Sequence, residues 1–305
     1  MNKTPILIAG PTASGKSHLA VELAVKLNGA VINTDSMQVY EDLQIISARP
    51  TEEEMRRVPH FLYGVLKASE RCSVGEWSRL AAETMEEVEE KGLRPIFVGG
   101  TGLYFRALLE GLSTIPEIPA QIRASAAKTI DTGGILILYD DLRNRDPESA
   151  ARISPNDPQR IQRAWEVLET TGRSLSDWQK DKQEPVLHGP VDKIVLEPDR
   201  RKLYFRCEKR FERMLGEGGL HEISALLKLG LEPSLPVLKA LGVQEMAEYL
   251  HGDVSYDQAI KRSKMVTRRY AKRQLTWMRN QMGDWPRLDP LSPNLVEQAL
   301  SLIDE

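Results

Sequence analysis

Eight consecutive residues near the front of the chain, Gly10, Pro11, Thr12, Ala13, Ser14, Gly15, Lys16 and Ser17, fit the pattern G-x-x-x-x-G-K-[ST]. Glycines at both ends let backbone N–H groups turn inward, and a helix starting behind the loop adds positive potential. The segment therefore suits a pyrophosphate-bearing ligand. Lys16 supplies a mobile ammonium for the outer phosphate. Ser17 offers a hydroxyl to magnesium, a hard cation that usually keeps few protein ligands. Sites of this kind normally add an acid at the end of a second buried strand. Asp35, after Ala30-Val31-Ile32-Asn33-Thr34, fits that place, and so does Asp140, after Ile135-Leu136-Ile137-Leu138-Tyr139. Both also fit a plain strand end or helix cap.

The loop needs a strand before it and a helix after it. Residues 5–9 are a short apolar run stopped by Gly10, which reads as a buried strand. Leu19, Ala20, Leu23, Ala24 and Leu27 then recur at helical spacing over residues 16–27, and Asn28-Gly29 closes that helix. A second strand is expected at 30–33, a helix over 76–91 ended by Gly92, and a third strand at 95–98 opening into Gly99-Gly100-Thr101-Gly102. Strands alternating with helices predict an α/β fold with a parallel sheet. After Gly111 the texture changes. Pro116 and Pro119 break the chain, helical patterns run to about residue 180, and a Pro/Gly/His stretch at 185–190 precedes one more strand at 193–196. By pattern alone the run 135–140 also reads as a buried strand. The expected architecture is a P-loop NTPase-like parallel sheet core over 1–114, an α-helical insertion over 115–190, and the rest of the core with a basic helical C-terminal region over 191–305.

The composition agrees with a globular chain of about two domains. Of 305 residues, 41% are hydrophobic, with 41 Lys+Arg against 44 Asp+Glu, which excludes wholesale disorder and collagen-like or coiled-coil repeats. Nothing approaches the roughly 18 apolar residues of a membrane span, and only four apolar residues precede Gly10, so neither membrane insertion nor a secretory leader is expected. Cys72 and Cys207 form no CxxC pair and suit a reducing cytoplasm. The five histidines show no metal spacing. The net charge of −3 hides an asymmetry: residues 256–282 carry eight basic side chains against Asp257, a net of +7, interleaved with Tyr270, Trp277 and Met278. Such a mixture can follow phosphates and stack on bases, or be a solvated helix face. Residues 76–91, at net −4, read as a solvated face.

Several blocks, in order, resemble the tRNA dimethylallyltransferase (tRNA isopentenyltransferase) family. They are Asp35-Ser36-Met37-Gln38-Val39-Tyr40, Val98-Gly99-Gly100-Thr101-Gly102-Leu103-Tyr104, Asp146-Pro147-Glu148, Asn156-Asp157-Pro158-Gln159-Arg160-Ile161-Gln162-Arg163-Ala164 and Tyr270-Ala271-Lys272-Arg273-Gln274-Leu275-Thr276-Trp277. Ser47, Phe61 and Val243 depart from the family pattern. The resemblance implies transfer of a dimethylallyl group from its diphosphate to N6 of an adenosine beside the anticodon. Asp35 would be the base, with Lys16 and Thr101 beside it in catalysis and magnesium as cofactor. Contacts to the tRNA anticodon stem-loop would come from Asp35, Ser36, Met37, Gln38, Thr101, Arg123, Gln159, Arg160, Ile161, Gln162 and Arg163. Gln38 could read an adenine edge with its amide, and Arg160 and Arg163 could meet phosphates or bases. The resemblance also implies a monomer, and helix rather than strand at 135–140, which removes Asp140 as a magnesium ligand. Two other readings share the loop: an isopentenyltransferase acting on free adenine nucleotides, and a P-loop nucleotide kinase.

Overall fold

In the computed structural model, which describes residues 3–181 and 184–303, the apolar runs near the front become the middle of one parallel sheet. Its strands are β1 (Ile6–Ala9), β2 (Gly29–Asn33), β3 (His60–Phe61), β4 (Arg94–Gly99), β5 (Asp192–Leu196) and β6 (Arg287–Leu288). They lie in the order β3-β2-β4-β1-β5-β6, every neighbour parallel. The two-residue edge strands β3 and β6 are too short to announce themselves by pattern. They were not anticipated.

Side chains alternate across a strand, so each central strand feeds two cores. Leu7, Ala9, Ala30, Ile32, Phe97 and Val195 enter one; Ile6, Ile8, Val31, Ile96, Val98, Ile194 and Leu196 enter the other. The second face is covered by α1 (Lys16–Leu27) and closed by Ala299 of the last helix. α2 (Glu52–Arg57) is a short surface helix started by a Thr51 capping box. The first face packs on α3 (Val74–Glu90), through Trp77, Ala81 and Val88, and on α4 (Gly102–Glu110), through Tyr104, Phe105 and Leu108.

Residues 110–185 form a separate compact unit, and residues 1–109 with 186–305 form the other. The smaller unit contains α5 (Ala120–Gly133), α6 (Ile135–Arg145), α7 (Pro147–Arg152), α8 (Pro158–Thr171) and α9 (Leu175–Trp178). Its own core joins Ala126, Leu138, Leu142, Ala150, Ile161, Ala164, Trp165 and Leu168. The run 135–140 is thus helix, and the strand reading is corrected. Gly134 at φ 83° opens α6, which buries Leu138 and Leu142 one turn apart while Leu136 and Ile137 stay exposed. Neither residue alternation nor sheet burial is present there.

Beyond the small unit the chain completes the sheet and adds helices to the first face. These are α10 (Arg200–Met214), a π-helical turn Leu215–Gly219, α11 (Leu220–Lys228), α12 (Val243–His251) and the long α13 (Tyr256–Gln281), while α14 (Leu295–Leu300) lies on the second face. Among the described residues no helix is long and apolar enough to cross a membrane.

Candidate active site

Loops leaving the carboxyl ends of β1, β2 and β4 converge, which is where open parallel sheets bind ligands. The β1 loop runs into α1 without a side-chain cap, and Gly15 at φ 93° makes the turn that aims the first N–H groups of α1 forward. Ser14 within this loop is fully buried, and its hydroxyl has no partner among the described residues. An orphaned buried donor of this kind is what a phosphate oxygen satisfies. Lys16 reaches back to Pro11 O at 3.4 Å. Burial pulls its pKa down to about 8; the Asp35 charge opposes that shift and the Arg210 charge adds to it.

Arg210 had no sequence signal. It and Arg206 lie one turn apart on α10, in a run dense with charge that reads as solvated surface. Arg210 instead donates from Nη2 to Thr12 Oγ1, and Arg206 Nη2 would come within 3.4 Å of a Cβ on Gly15. Burial, ahead of neighbouring charges, lowers the Arg210 pKa, and Asp35 works against that. Lys16, Arg206 and Arg210 thus bring cationic groups to the eight-residue loop. Gln274 of α13 fixes its shape: Thr12 N donates to Gln274 Oε1 at 2.8 Å while Gln274 Nε2 donates to Gly100 O at 2.9 Å.

Asp35 follows β2 in a turn that fixes its carboxylate. Its Oδ1 accepts from Met37 N at 2.9 Å, an Asx turn, and Asn33 brackets the backbone through Asn33 Oδ1 to Asp35 N (2.8 Å) and Asn33 Nδ2 to Asp35 O (3.0 Å). Among the described residues Asp35 Oδ2 has no hydrogen-bond partner. Its charge acts on Lys16 and Arg210, and after burial it helps hold the phenols of Tyr63 and Tyr270 in their neutral form. A base, two cations and two neutral phenols therefore share one location. Tyr63 carries no sequence signal, and the sequence marks Tyr270 only as an aromatic among the cations of 256–282.

Thr101 has a definite task. Its Oγ1 accepts from Ser36 N at 3.0 Å and donates to Ser36 Oγ at 3.4 Å, so the hydroxyl braces the Asp35 turn. The neighbouring glycines admit protein rather than an open approach. A Cβ on Gly100 would lie 2.2 Å from Gln274 Nε2, and one on Gly102 would lie 2.3 Å from the Trp277 ring. Gln38 gives its amide nitrogen to Ser47 O (3.1 Å) and Ala48 O (2.8 Å), and among the described residues its Oε1 has no hydrogen-bond partner. Met37 is half-buried against the main core.

The smaller unit presents Gln159, Arg160 and Arg163 on the surface of α8, Arg160 in a 3.3 Å pair with Asp157. Ile161 is fully buried in that unit's core, so its side chain cannot touch a ligand, which corrects its assignment. Gln162 bonds Glu166 at 2.8 Å. Arg123 is close enough to Arg163 to lower its pKa, behind desolvation and against Glu166. Acids stand beside both cations, Glu117 at 4.0 Å from Arg123 and Glu166 near Arg163, so the pair is partly compensated within its own unit.

The basic stretch 256–282 is α13 and is less free than its charge implies. Arg262, Lys264, Arg268 and Arg279 are paired with Glu248, Glu212, Glu208 and Glu197. Lys261, Arg269, Lys272 and Arg273 are exposed and among the described residues have no acidic partner, Arg273 lying over the Tyr270 ring. Met278 is buried and Trp277 packs on Gly102, so neither offers a stacking face.

The family model described as IPP transferase matches residues 38–281, and that described as isopentenyl transferase matches residues 4–63. A tRNA dimethylallyltransferase of Parvibaculum lavamentivorans is 49% identical over 98% of this chain and 96% of its own, and one of Nitrobacter hamburgensis is 48% identical over 98% and 93%. Among solved structures, a full-length tRNA isopentenylpyrophosphate transferase of Bacillus halodurans superposes with a TM-score of 0.69 at 35% identity, covering 98% of this chain and 94% of that one. A eukaryotic dimethylallyltransferase solved in the act of modifying tRNA gives 0.79 at 29% identity, covering 98% and 77%. With four-fifths of its length inside one family model and near-half identity to full-length relatives, the chain belongs to the IPP transferase family.

Proposed function

We propose that this chain transfers a dimethylallyl group from dimethylallyl diphosphate to N6 of the adenosine 3′-adjacent to the anticodon of a tRNA. The observation that carries this reading is the eight-residue loop, where the buried Ser14 hydroxyl has no partner among the described residues, Arg210 binds Thr12, and the Asp35 charge acts on Lys16 and Arg210. A C–O bond to the diphosphate breaks as the N6–C bond forms. The diphosphate leaves with the electron pair, and the N6 proton passes to Asp35. N6 is a weak nucleophile because its lone pair is delocalised into the ring, so both ends of the reaction need help. Loop N–H groups, Lys16 and Arg210 stabilise the charge growing on the leaving group. Asp35 Oδ2, uncommitted while Oδ1 is held by Met37 N, takes the proton. The target base leaves its stack to reach it, at a cost of a few kcal/mol.

Magnesium fits this site. Ser17 is an exposed hydroxyl on the first turn of α1, and among the described residues no cluster of three His, Cys, Asp or Glu offers a dedicated metal cage. A single hydroxyl beside phosphate oxygens is the donor set this ion takes. When bound it would lend positive charge to the leaving diphosphate. Thr101 and Ser36 hold the base, and Arg123, Arg160 and Arg163 with the exposed cations of α13 are assigned to tRNA phosphates. The working form is a cytoplasmic monomer.

The test is direct. Purified protein, unmodified tRNA, dimethylallyl diphosphate and magnesium are incubated, and digested tRNA is examined by mass spectrometry. One anticodon-loop adenosine should gain the dimethylallyl mass. Modification of free AMP but not of tRNA would replace the reading with the nucleotide-level transferase, and phosphate transfer from ATP with the diphosphate inert would replace it with a kinase.

A further inference from the structure

Glu222 on α11 makes an arrangement the mechanism above does not use. Its Oε2 accepts from Gln44 N and Ile45 N, and its Oε1 from Ile46 N, each at 2.8 Å. One carboxylate thus ties down three successive backbone amides from a segment nearly 180 residues away. Charge-assisted bonds of this kind are about twice as strong as neutral ones. The π-helical turn before α11 is shaped to receive the same segment. A Cβ on Gly219 would stand 2.8 Å from Ile46 Cδ1 and 2.7 Å from Met214 O, while Gly218 at φ 106° lies by Ile45 Cδ1. Seat and clamp are independent features that converge on residues 44–46.

From there the connections lead to the site. Gln44 Nε2 bonds Arg49 O (3.1 Å) and Pro50 O (3.0 Å), and Arg49 Nη1 donates to Tyr40 O at 3.0 Å, so residues 40–50 behave as one braced loop. The carbonyls of Ser47 and Ala48 within it take the amide nitrogen of Gln38. A glutamine can present either end to a ligand. Here the loop fixes the choice, because only an NH2 group can meet two carbonyls, and Oε1 is left as an acceptor. Ala48 and Pro50 also wall a recess shared with Ser17, His18, His60 and Tyr63.

The geometry points to Glu222 as a positioning residue: through the 44–50 loop it sets Gln38 with its oxygen outward, to accept from an amino group of the RNA. This rests on the transferase reading and deepens it, since an outward acceptor suits the donor-bearing edge of adenine and opposes a purine carrying a carbonyl there. The same α10–α11 segment carries Arg210 on the diphosphate side and Glu222 on the RNA side, so the two contributions can be separated by mutation.

Three measurements on the full chain test it. Amide exchange at 44–46 should accelerate in Glu222→Ala and recover in part in Glu222→Gln, which keeps one acceptor oxygen. Steady-state kinetics should show kcat/KM for tRNA falling about 10–10²-fold in Glu222→Ala, as small misplacements do, while dimethylallyl diphosphate binding stays within about twofold. In a Gln38→Ala background, Glu222→Ala should add less than about threefold, because the two act through one path. Unchanged exchange at 44–46, loss of diphosphate affinity in step with tRNA, or an undiminished Glu222 effect without Gln38 would each overturn the proposal. Should Glu222→Ala fail to fold, the Gln variant supplies the same comparison. A wild-type chain that modifies no tRNA defeats the transferase reading instead, and the exchange data still report on the clamp.

Discussion

Lys16 is held where its charge is costly until a ligand arrives. Its pKa of about 8 in the folded chain lies below the ordinary lysine value, chiefly through burial. From about pH 8 up to that ordinary value the unfolded chain holds more protons, so stability rises with pH across that window. Lys16→Met should therefore raise the thermal midpoint at pH 7, by a difference that vanishes at strongly alkaline pH; a lowered midpoint at pH 7 contradicts it. The charged form is the one that grips phosphate, so kcat/KM for dimethylallyl diphosphate should fall as pH rises through about 8. Asp35 permits a cleaner substitution than alanine. Asn keeps the oxygen that accepts from Met37 N and loses only the basicity. Asp35→Asn should thus lower kcat by about 10²–10⁴-fold with tRNA affinity intact, measured by single turnover and filter binding. Both residues were legible, Lys16 from the glycine-bounded pattern that contains it and Asp35 from its place after a short apolar run. Arg210 was not, since its contact to Thr12 spans 198 positions and nothing local marks it.

At the scale of elements, α13 shows how a charge run misleads. Of its eight cations, four are tied to glutamates elsewhere in the chain, and Lys261, Arg269, Lys272 and Arg273 have no acidic partner among the described residues. Reversing Arg269 and Lys272 to Glu should weaken tRNA binding at low salt and shallow the salt dependence by about one per lost cation. Arg268→Glu should do something else: it sets two acids against each other at Glu208, so its main effect should appear in thermal melting. Equal salt slopes for the two variants would refute that division. The strand–loop–helix unit and the central strands were readable because burial on both faces writes unbroken apolar runs. Two-residue β3 and β6 exist only through pairing with β2 and β5, which leaves no signature in their own residues. The run at 135–140 carries strand-like residues but stands in a helical unit, where tertiary packing overrides propensity.

For the whole molecule the question is how β5 finds its place beside β1 after the chain has left the sheet to form a second unit at 110–185. Loop length alone adds little, since each doubling costs only about 0.6 kcal/mol. Specific registration comes from the start of the strand. Arg94 at the head of β4 and Asp192 at the head of β5 meet across β1 at 2.8 Å, both more than nine-tenths buried, while Arg94 Nε donates to Thr4 O at 2.8 Å. Three stretches of chain are thereby locked at the amino ends of the central strands, opposite the end where the loops of the site emerge. Removing one charge leaves the other buried, a loss of about 3–5 kcal/mol, whereas replacing both by apolar groups removes both charges of this pair. Asp192→Asn should accordingly lower the melting temperature by roughly 10 °C, and the double variant Arg94→Met/Asp192→Leu should melt well above the single one. Because the pair lies at the far end, tRNA modification at 20 °C should match the parent in both. Comparable melting of single and double variants would show that the site tolerates a lone charge. A slowed reaction in protein that remains folded would instead tie this end to the chemistry at the other.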